Sequence, residues 1–329
     1  MNSSQYPSRR PRRLRTRPSV RDLVREHRLT ADDLIQPLFV HDGEGPDVPI
    51  ASMPGMFRHN VDGLIERCGR AWEAGVKAVA LFPKVAEGLK DEGGQEAWNP
   101  SGLIPTVIHR LKAAYPELLV ITDVALDPYS SLGQDGVVVD GEIHNERTIE
   151  ALVRQAACHA AAGADLVAPS DMMDGRVGAI RRVLDVEGHS NTLIFAYSAK
   201  YASAFYGPFR EALDSAPRGG ADKRTYQMDP GNGDEALHEV GLDIDEGADW
   251  VMVKPGMPYL DVLWRVKEKF KRPTFAYQVS GEYAMFKAAA AQGWLDEQAV
   301  VLEALTGFKR AGADGVLTYY ATDVAEWIR

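Results

Sequence analysis

Two lysines close short runs of apolar and β-forming residues, Lys200 in LIFAYSAKYASAFYGPFR and Lys254 in WVMVKPGMPYL. A charge at the mouth of a buried strand asks for a chemical reason. Burial lowers an ammonium pKa and a second ammonium nearby lowers it again, which frees an amine to attack a carbonyl. The pair therefore points to imine chemistry on carbonyl substrates. The competing reading makes either lysine a surface residue or a phosphate clamp.

Further polar residues fall at the ends of other apolar runs: Asp123 and Asp127, Ser170 and Asp171, Ser280, and Tyr319 with Tyr320. Asp127 and Asp135, in ITDVALDPYSSLGQDG, could accept from a cationic group, or simply cap turns beside Pro128 and Gly136. Between residues 198 and 233 lies a long segment carrying Arg210, Arg218, Lys223 and Arg224. Segments of that length often act as lids. Cations on a lid would suit a substrate carboxylate, and closure would keep water from hydrolysable imines.

The elements that position these groups read as eight strands: 34–40, 78–83, 118–126, 166–171, 193–198, 250–255, 274–280 and 315–320. Amphipathic segments such as VDGLIERCGRAWEAG, TIEALVRQAACHAAAGA and DEALHEVGLDIDEGAD alternate with them, with apolar residues every three or four positions. Four junctions repeat: AGVKAVA, AGADLVA, EGADWVM and AGADGVL. Glycine should stop the helix there, and the next aspartate or lysine should turn the chain into the strand. Eight such units predict a (β/α)8 TIM barrel, with the site at the C-terminal ends of the strands. An open doubly wound sheet is the alternative, but no GxGxxG follows the first strand.

At 329 residues the chain accommodates such a barrel, read here as residues 31–329, plus an N-terminal arm over 1–30. The arm contains SRRPRRLRTRPSVRDLVREHR, whose arginines would also suit targeting or a nucleic-acid tail. Pro7, Pro11 and Pro18 oppose a continuous helix, and Ser19 looks like the cap of a short one. We expect an extended basic arm lying on an acidic neighbouring subunit. The net charge of −10 argues against nucleic-acid binding by the body of the chain. No apolar run reaches the roughly twenty residues needed to span a bilayer, and no signal-peptide core is present, so no membrane partner is expected. Cys68 and Cys158 both fall in helical patterns, too few for a disulfide framework, and fit a reducing cytoplasm.

In order along nearly the whole chain, ITDVALDP, APSDMMDGR, AYSAKYASAFYGPFR, TYQMDP, VMVKPGMPYLD, QVSGEYAM and AGADGVLTYY resemble the porphobilinogen synthase (δ-aminolevulinic acid dehydratase) family. The resemblance implies a TIM barrel, usually a homo-octamer, that condenses two 5-aminolevulinate molecules into porphobilinogen in tetrapyrrole and haem synthesis. It implies that Lys254 forms an imine with the first substrate and Lys200 with the second. Ser280 and Tyr319 would hold the first carboxylate. Arg210 and Lys223, with Gln227 nearby, would hold the second. The runner-up is another Schiff-base barrel lyase, a class I aldolase or dihydrodipicolinate-synthase-like enzyme, which needs one imine lysine. A catalytically silent binding barrel is the third reading.

Metal use is where this sequence departs from zinc-dependent relatives. Ala125, Asp127 and Asp135 stand where those carry three cysteines, which argues against active-site Zn2+ and for an aspartate-rich type. Asp127 and Asp135 would then bind the second substrate's amino group, with room for a monovalent or other hard cation. The resemblance further implies an allosteric Mg2+ at Glu239, with Asp171 and Arg176 as outer-shell partners. Leu132 replaces a histidine common among relatives.

Overall fold

The computed structural model describes residues 9–213, 215 and 222–329. Eight parallel strands form a closed barrel: β1 (Leu34–His41), β2 (Ala78–Lys84), β3 (Leu119–Val124), β4 (Leu166–Pro169), β5 (Leu193–Lys200), β6 (Trp250–Lys254), β7 (Thr274–Gln278) and β8 (Gly315–Thr318). Closure is made by β8 against β1, with Leu34 beside Val316 and Ile35 beside Leu317. Each strand is nearly continuously buried, as expected when side chains fill the barrel on one face and meet helices on the other. The (β/α)8 fold read from the sequence is the fold observed.

The repeated junctions behave as expected at their glycines and differently at their aspartates. Gly75, Gly163, Gly247 and Gly312 have φ of 104°, 102°, 109° and 98°, a left-handed geometry that ends each helix without Cβ strain. The aspartates reach sideways instead of shaping a turn. Asp165 Oδ2 accepts from Val120 N on β3 at 2.8 Å, Asp249 Oδ2 from Ile194 N on β5 at 2.8 Å, and Asp314 Oδ2 from Thr274 N on β7 at 2.7 Å. Each thereby satisfies an N–H at the start of the preceding strand.

Strand ends also differ from the sequence reading, and the differences place chemistry. The third strand stops at Val124 because Leu126 N turns to donate to Asp135 O at 3.1 Å. The fourth ends at Pro169, and the seventh at Gln278, so that Ser280 opens the helix Ser280–Ala291. The eighth ends at Thr318, leaving Tyr319 and Tyr320 on the turn into Ala321–Trp327. The fifth runs further than expected and contains Lys200 itself.

Among the described arm residues, a short 3-10 turn, Pro11–Arg15, and a helix, Pro18–Leu23, contain no buried side chain. Ser19 is not the cap. Pro18, which needs no N–H, takes the first helical position, and Arg17 precedes it without a side-chain capping bond. No helix among the described residues is long and apolar enough to cross a membrane. Cys68 is buried in Val61–Ala74, and Cys158 is half-buried in Asn145–Ala161.

Candidate active site

Lys200 and Lys254 end adjacent strands and are register partners, so both amines enter the mouth at one level. Both residues are buried. Their surroundings differ sharply. Lys254 Nζ lies among four aromatic rings, 4.7 Å from the centre of Tyr277, 4.9 Å from Tyr197 and Phe209, and 5.2 Å from Tyr206. Burial, reinforced by the charge of Lys200, pushes its ammonium down to about 7. The backbone carbonyl of Lys254 is fixed by Tyr201 N at 2.9 Å and Tyr206 Oη at 3.2 Å.

Lys200 is held by acceptors. Its Nζ donates to Asp135 Oδ2 at 3.2 Å and to the carbonyl of Ser170. Asp135 also accepts from Lys223 Nζ at 2.9 Å, and Asp127 takes a further bond from the same ammonium at 3.1 Å. Gln227 Nε2 approaches Asp135 at 3.5 Å. Burial works against the Asp135 anion, but Lys200 and Lys223 outweigh it and hold the carboxyl below its ordinary range. Asp127 goes the other way, because burial and the charge of Asp135 exceed the help from Lys223. Lys223 itself is raised: its two carboxylates overcome the cost of burial.

Local structure explains why the 223–228 segment reaches this point. Met228 N donates to Lys200 O at 3.0 Å and Ala202 N to Met228 O at 2.8 Å, a one-rung parallel bridge extending β5. Tyr226 Oη accepts from Asp135 N at 3.3 Å and donates to Gln134 at 2.6 Å, tying the aspartate loop to the same segment. Arg210, Lys223, Arg224 and Gln227 line a cavity of about 210 Å³. Arg218 lies outside the described residues. Leu132 lines the neighbouring large cavity together with Gln134.

On the other side of Lys254, Ser280 Oγ accepts from Phe209 N at 3.0 Å, and Tyr319 Oη meets Tyr277 Oη at 2.9 Å. Phe209, on the short helix Gly207–Leu213, packs against Phe39 and Phe82 with ring centres 5.7 and 5.3 Å apart. The long segment thus covers the mouth with an aromatic ring as well as with cations. Asp123 on β3 is partly buried, with Oδ1 enclosed and unbonded among the described residues. Burial first, then Asp127, lifts its carboxyl to about 7.

The outer group forms a separate constellation. Arg176 is buried and forks onto Asp243 at 2.8 and 3.2 Å, with Asp171 at 3.6 Å. Burial raises the Asp171 carboxyl to about 6 despite Arg176. Glu239, one helical turn before Asp243, interacts electrostatically with Arg176 and Asp243 and lines a cavity of about 1170 Å³ with Asp174 and Glu235. Among the described residues no three His, Cys, Asp or Glu side chains converge to hold a metal. What Glu239 offers is one carboxylate beside a roomy polar cavity, compatible with a Mg2+ that keeps most of its waters.

A sequence model described as delta-aminolevulinic acid dehydratase matches residues 8–327. The chain belongs to that family. It is 57% identical over 320 residues to the delta-aminolevulinic acid dehydratase of Bradyrhizobium diazoefficiens, covering 97% of this chain and 91% of that protein. The Rhodobacter capsulatus dehydratase is 51% identical, covering 98% of this chain and 97% of that one. The crystal structure of the Toxoplasma gondii dehydratase (porphobilinogen synthase) in complex with the reaction product porphobilinogen superposes with a TM-score of 0.96. It is 56% identical and covers 97% of this chain and 91% of that chain.

Within this dehydratase fold, the structure brings Lys200, Asp127, Asp135, Lys223 and Gln227 into one cluster, and sets Lys254 among rings beside it. Sequence reasoning missed those rings as a group, and missed Ser170 O as a lysine acceptor. It also missed Asp243, whose four-residue spacing from Glu239 on one helix was the available signal.

Proposed function

We infer that this protein condenses two molecules of 5-aminolevulinate into porphobilinogen through imines on Lys254 and Lys200. The observation that carries the reading is the in-register lysine pair with opposite surroundings, in a chain of the dehydratase family. One amine is kept partly neutral by burial and by the charge of its neighbour, and the other is held by a carboxylate and a carbonyl.

Each lysine adds to a substrate ketone and expels water, giving an iminium that acidifies the neighbouring carbon. Loss of a proton there gives an enamine, whose carbon forms a bond to the other iminium carbon. The lysine on the attacked carbon, now bound as an amine, is expelled as a proton is lost from the carbon that formed the bond. The substrate's own amine then adds to the remaining iminium carbon and displaces the second lysine, and loss of one further ring proton gives the pyrrole. In this reading Ser280 and Tyr319 hold the first carboxylate and Arg210, Lys223 and Gln227 the second; the last three all line one cavity, which supports their grouping. A cationic substrate amine would replace Lys223 between Asp127 and Asp135, freeing Lys223 for that carboxylate. Phe209 excludes water from the imines.

Mg2+ binds at Glu239 and supports activity from outside the reaction centre, with Arg176 and Asp171 behind it; a monovalent cation near Asp127 and Asp135 is a further site of the same kind. The basic arm docks on a second copy, suited by an acidic cavity that Glu142, Asp174, Asp222, Asp229, Glu235 and Glu239 line. Such arm exchange fits a homo-octamer. Two free cysteines fit the cytoplasm.

The test is incubation with 5-aminolevulinate, a colour assay for the pyrrole, and borohydride trapping followed by peptide mass analysis. Pyrrole formation with trapped adducts at both lysines is expected. A single trapped lysine would favour the aldolase-like reading, and no pyrrole would remove the activity.

A further inference from the structure

Glu282 is wholly buried and enters none of the steps above. Its carboxylate gathers three backbone N–H groups from two separate segments. Met257 N donates to Oε1 at 2.8 Å, while Gly256 N at 3.3 Å and Val279 N at 2.7 Å donate to Oε2. The bond from Val279 is the ordinary reach of a third-position glutamate back to the N-cap of its own helix. Those from Gly256 and Met257 are not: they cross from the end of β7 to the end of β6.

The positions of the donors matter. Gly256 and Met257 lie in the turn immediately after Lys254, and Val279 immediately precedes Ser280. One side chain therefore fixes the turn carrying the first imine lysine to the turn carrying the serine placed for the same substrate's carboxylate. That lysine turn has little room to settle elsewhere. A Cβ on Gly256 would collide with the Phe308 ring and lie 2.9 Å from Tyr277 O. Buried N–H groups left without an acceptor are costly, so the tie is stiff.

We propose that Glu282 is a positioning residue for the condensation, setting the distance between Lys254 and Ser280 so that the first substrate is gripped at carbonyl carbon and carboxylate together. This rests on the two-imine reading above. An error of about 1 Å in such a grip can cost about a hundredfold in rate.

Glu282→Gln preserves shape but turns an amide N–H toward a backbone donor. At limiting 5-aminolevulinate, borohydride trapping per folded molecule is expected to fall several-fold at Lys254 and to stay at the wild-type level at Lys200. The value of kcat/KM should fall by about a hundredfold. Val301→Ala, a core truncation outside the site, serves as a destabilised control and should trap at both lysines as the wild type does. If E282Q does not accumulate folded, Glu282→Asp, too short to span both turns, carries the same test with the same expected pattern. Equal loss at both lysines, or loss that merely tracks the melting temperature as in V301A, overturns the proposal. Wild-type protein that traps at neither lysine sinks the two-imine reading itself, a different failure.

Discussion

Lys200 and Lys254 are paired across β5 and β6, yet one amine donates to a carboxylate and a carbonyl while the other faces four aromatic rings. Neighbouring backbone positions thus hold two amines in unlike surroundings. Two identical substrates can take unequal parts only when their anchors differ in this way.

Replacing either lysine by methionine should therefore stop product formation, by about three orders of magnitude or more. Lys200→Met is expected to retain a trappable imine at Lys254. Near-normal turnover in Lys200→Met would contradict a role for two imines.

Lys254 also makes stability depend on pH in a definite direction. Its folded value, about 7, lies below the unfolded value near 10.4. Between these values the unfolded chain binds a proton that the fold excludes, so stability rises with pH there; below about 7 both states are protonated and the gain is gone. Wild-type protein should gain up to about 2 kcal/mol more than Lys254→Met between pH 7 and pH 9 in urea titrations. Parallel curves for the two proteins would contradict the shift.

Asp135 receives two ammonium groups, and Asp127 receives one. Asp135→Asn should leave Lys200 and Lys223 short of a counter-charge and cost about 3–5 kcal/mol of stability. Asp127→Asn should cost less. The order of their denaturation midpoints checks this.

Metal-stripped protein should regain activity with Mg2+, and Glu239→Gln should blunt the response. Separate restoration of Mg2+, Zn2+ and K+ decides the matter. Recovery with Zn2+ alone would overturn the view of Asp127 and Asp135 as binders of the substrate amine.

Removing residues 1–18 should lower the assembly mass measured by light scattering, since neither Pro11–Arg15 nor Pro18–Leu23 contains a buried side chain. An unchanged mass would separate the arm from assembly.

How much of this was legible in the sequence follows from which forces are local. All eight strands and the stopping glycines could be read, because apolar runs and left-handed turns leave a signature within a few residues. Lys200 and Lys254 could be read because a charge interrupts an apolar run. The sideways reach of Asp165, Asp249 and Asp314 could not, since each partner is a backbone N–H on another strand. The ring cage of Lys254 draws on β5, β7, the 3-10 turn Ala204–Tyr206 and the covering helix, so no window of sequence contains it. Glu282 reads locally as a helix-starting residue, and only the closed barrel brings the turn after Lys254 within its reach.

Phe209 sits over Lys254, wedged between Phe39 and Phe82 with its own amide bonded to Ser280. The ring and that amide together fill ground that a first substrate would claim at amine and serine alike. One residue of the covering helix therefore touches both ends of that ground, and a change at Phe209 is felt at the lysine and at the serine together.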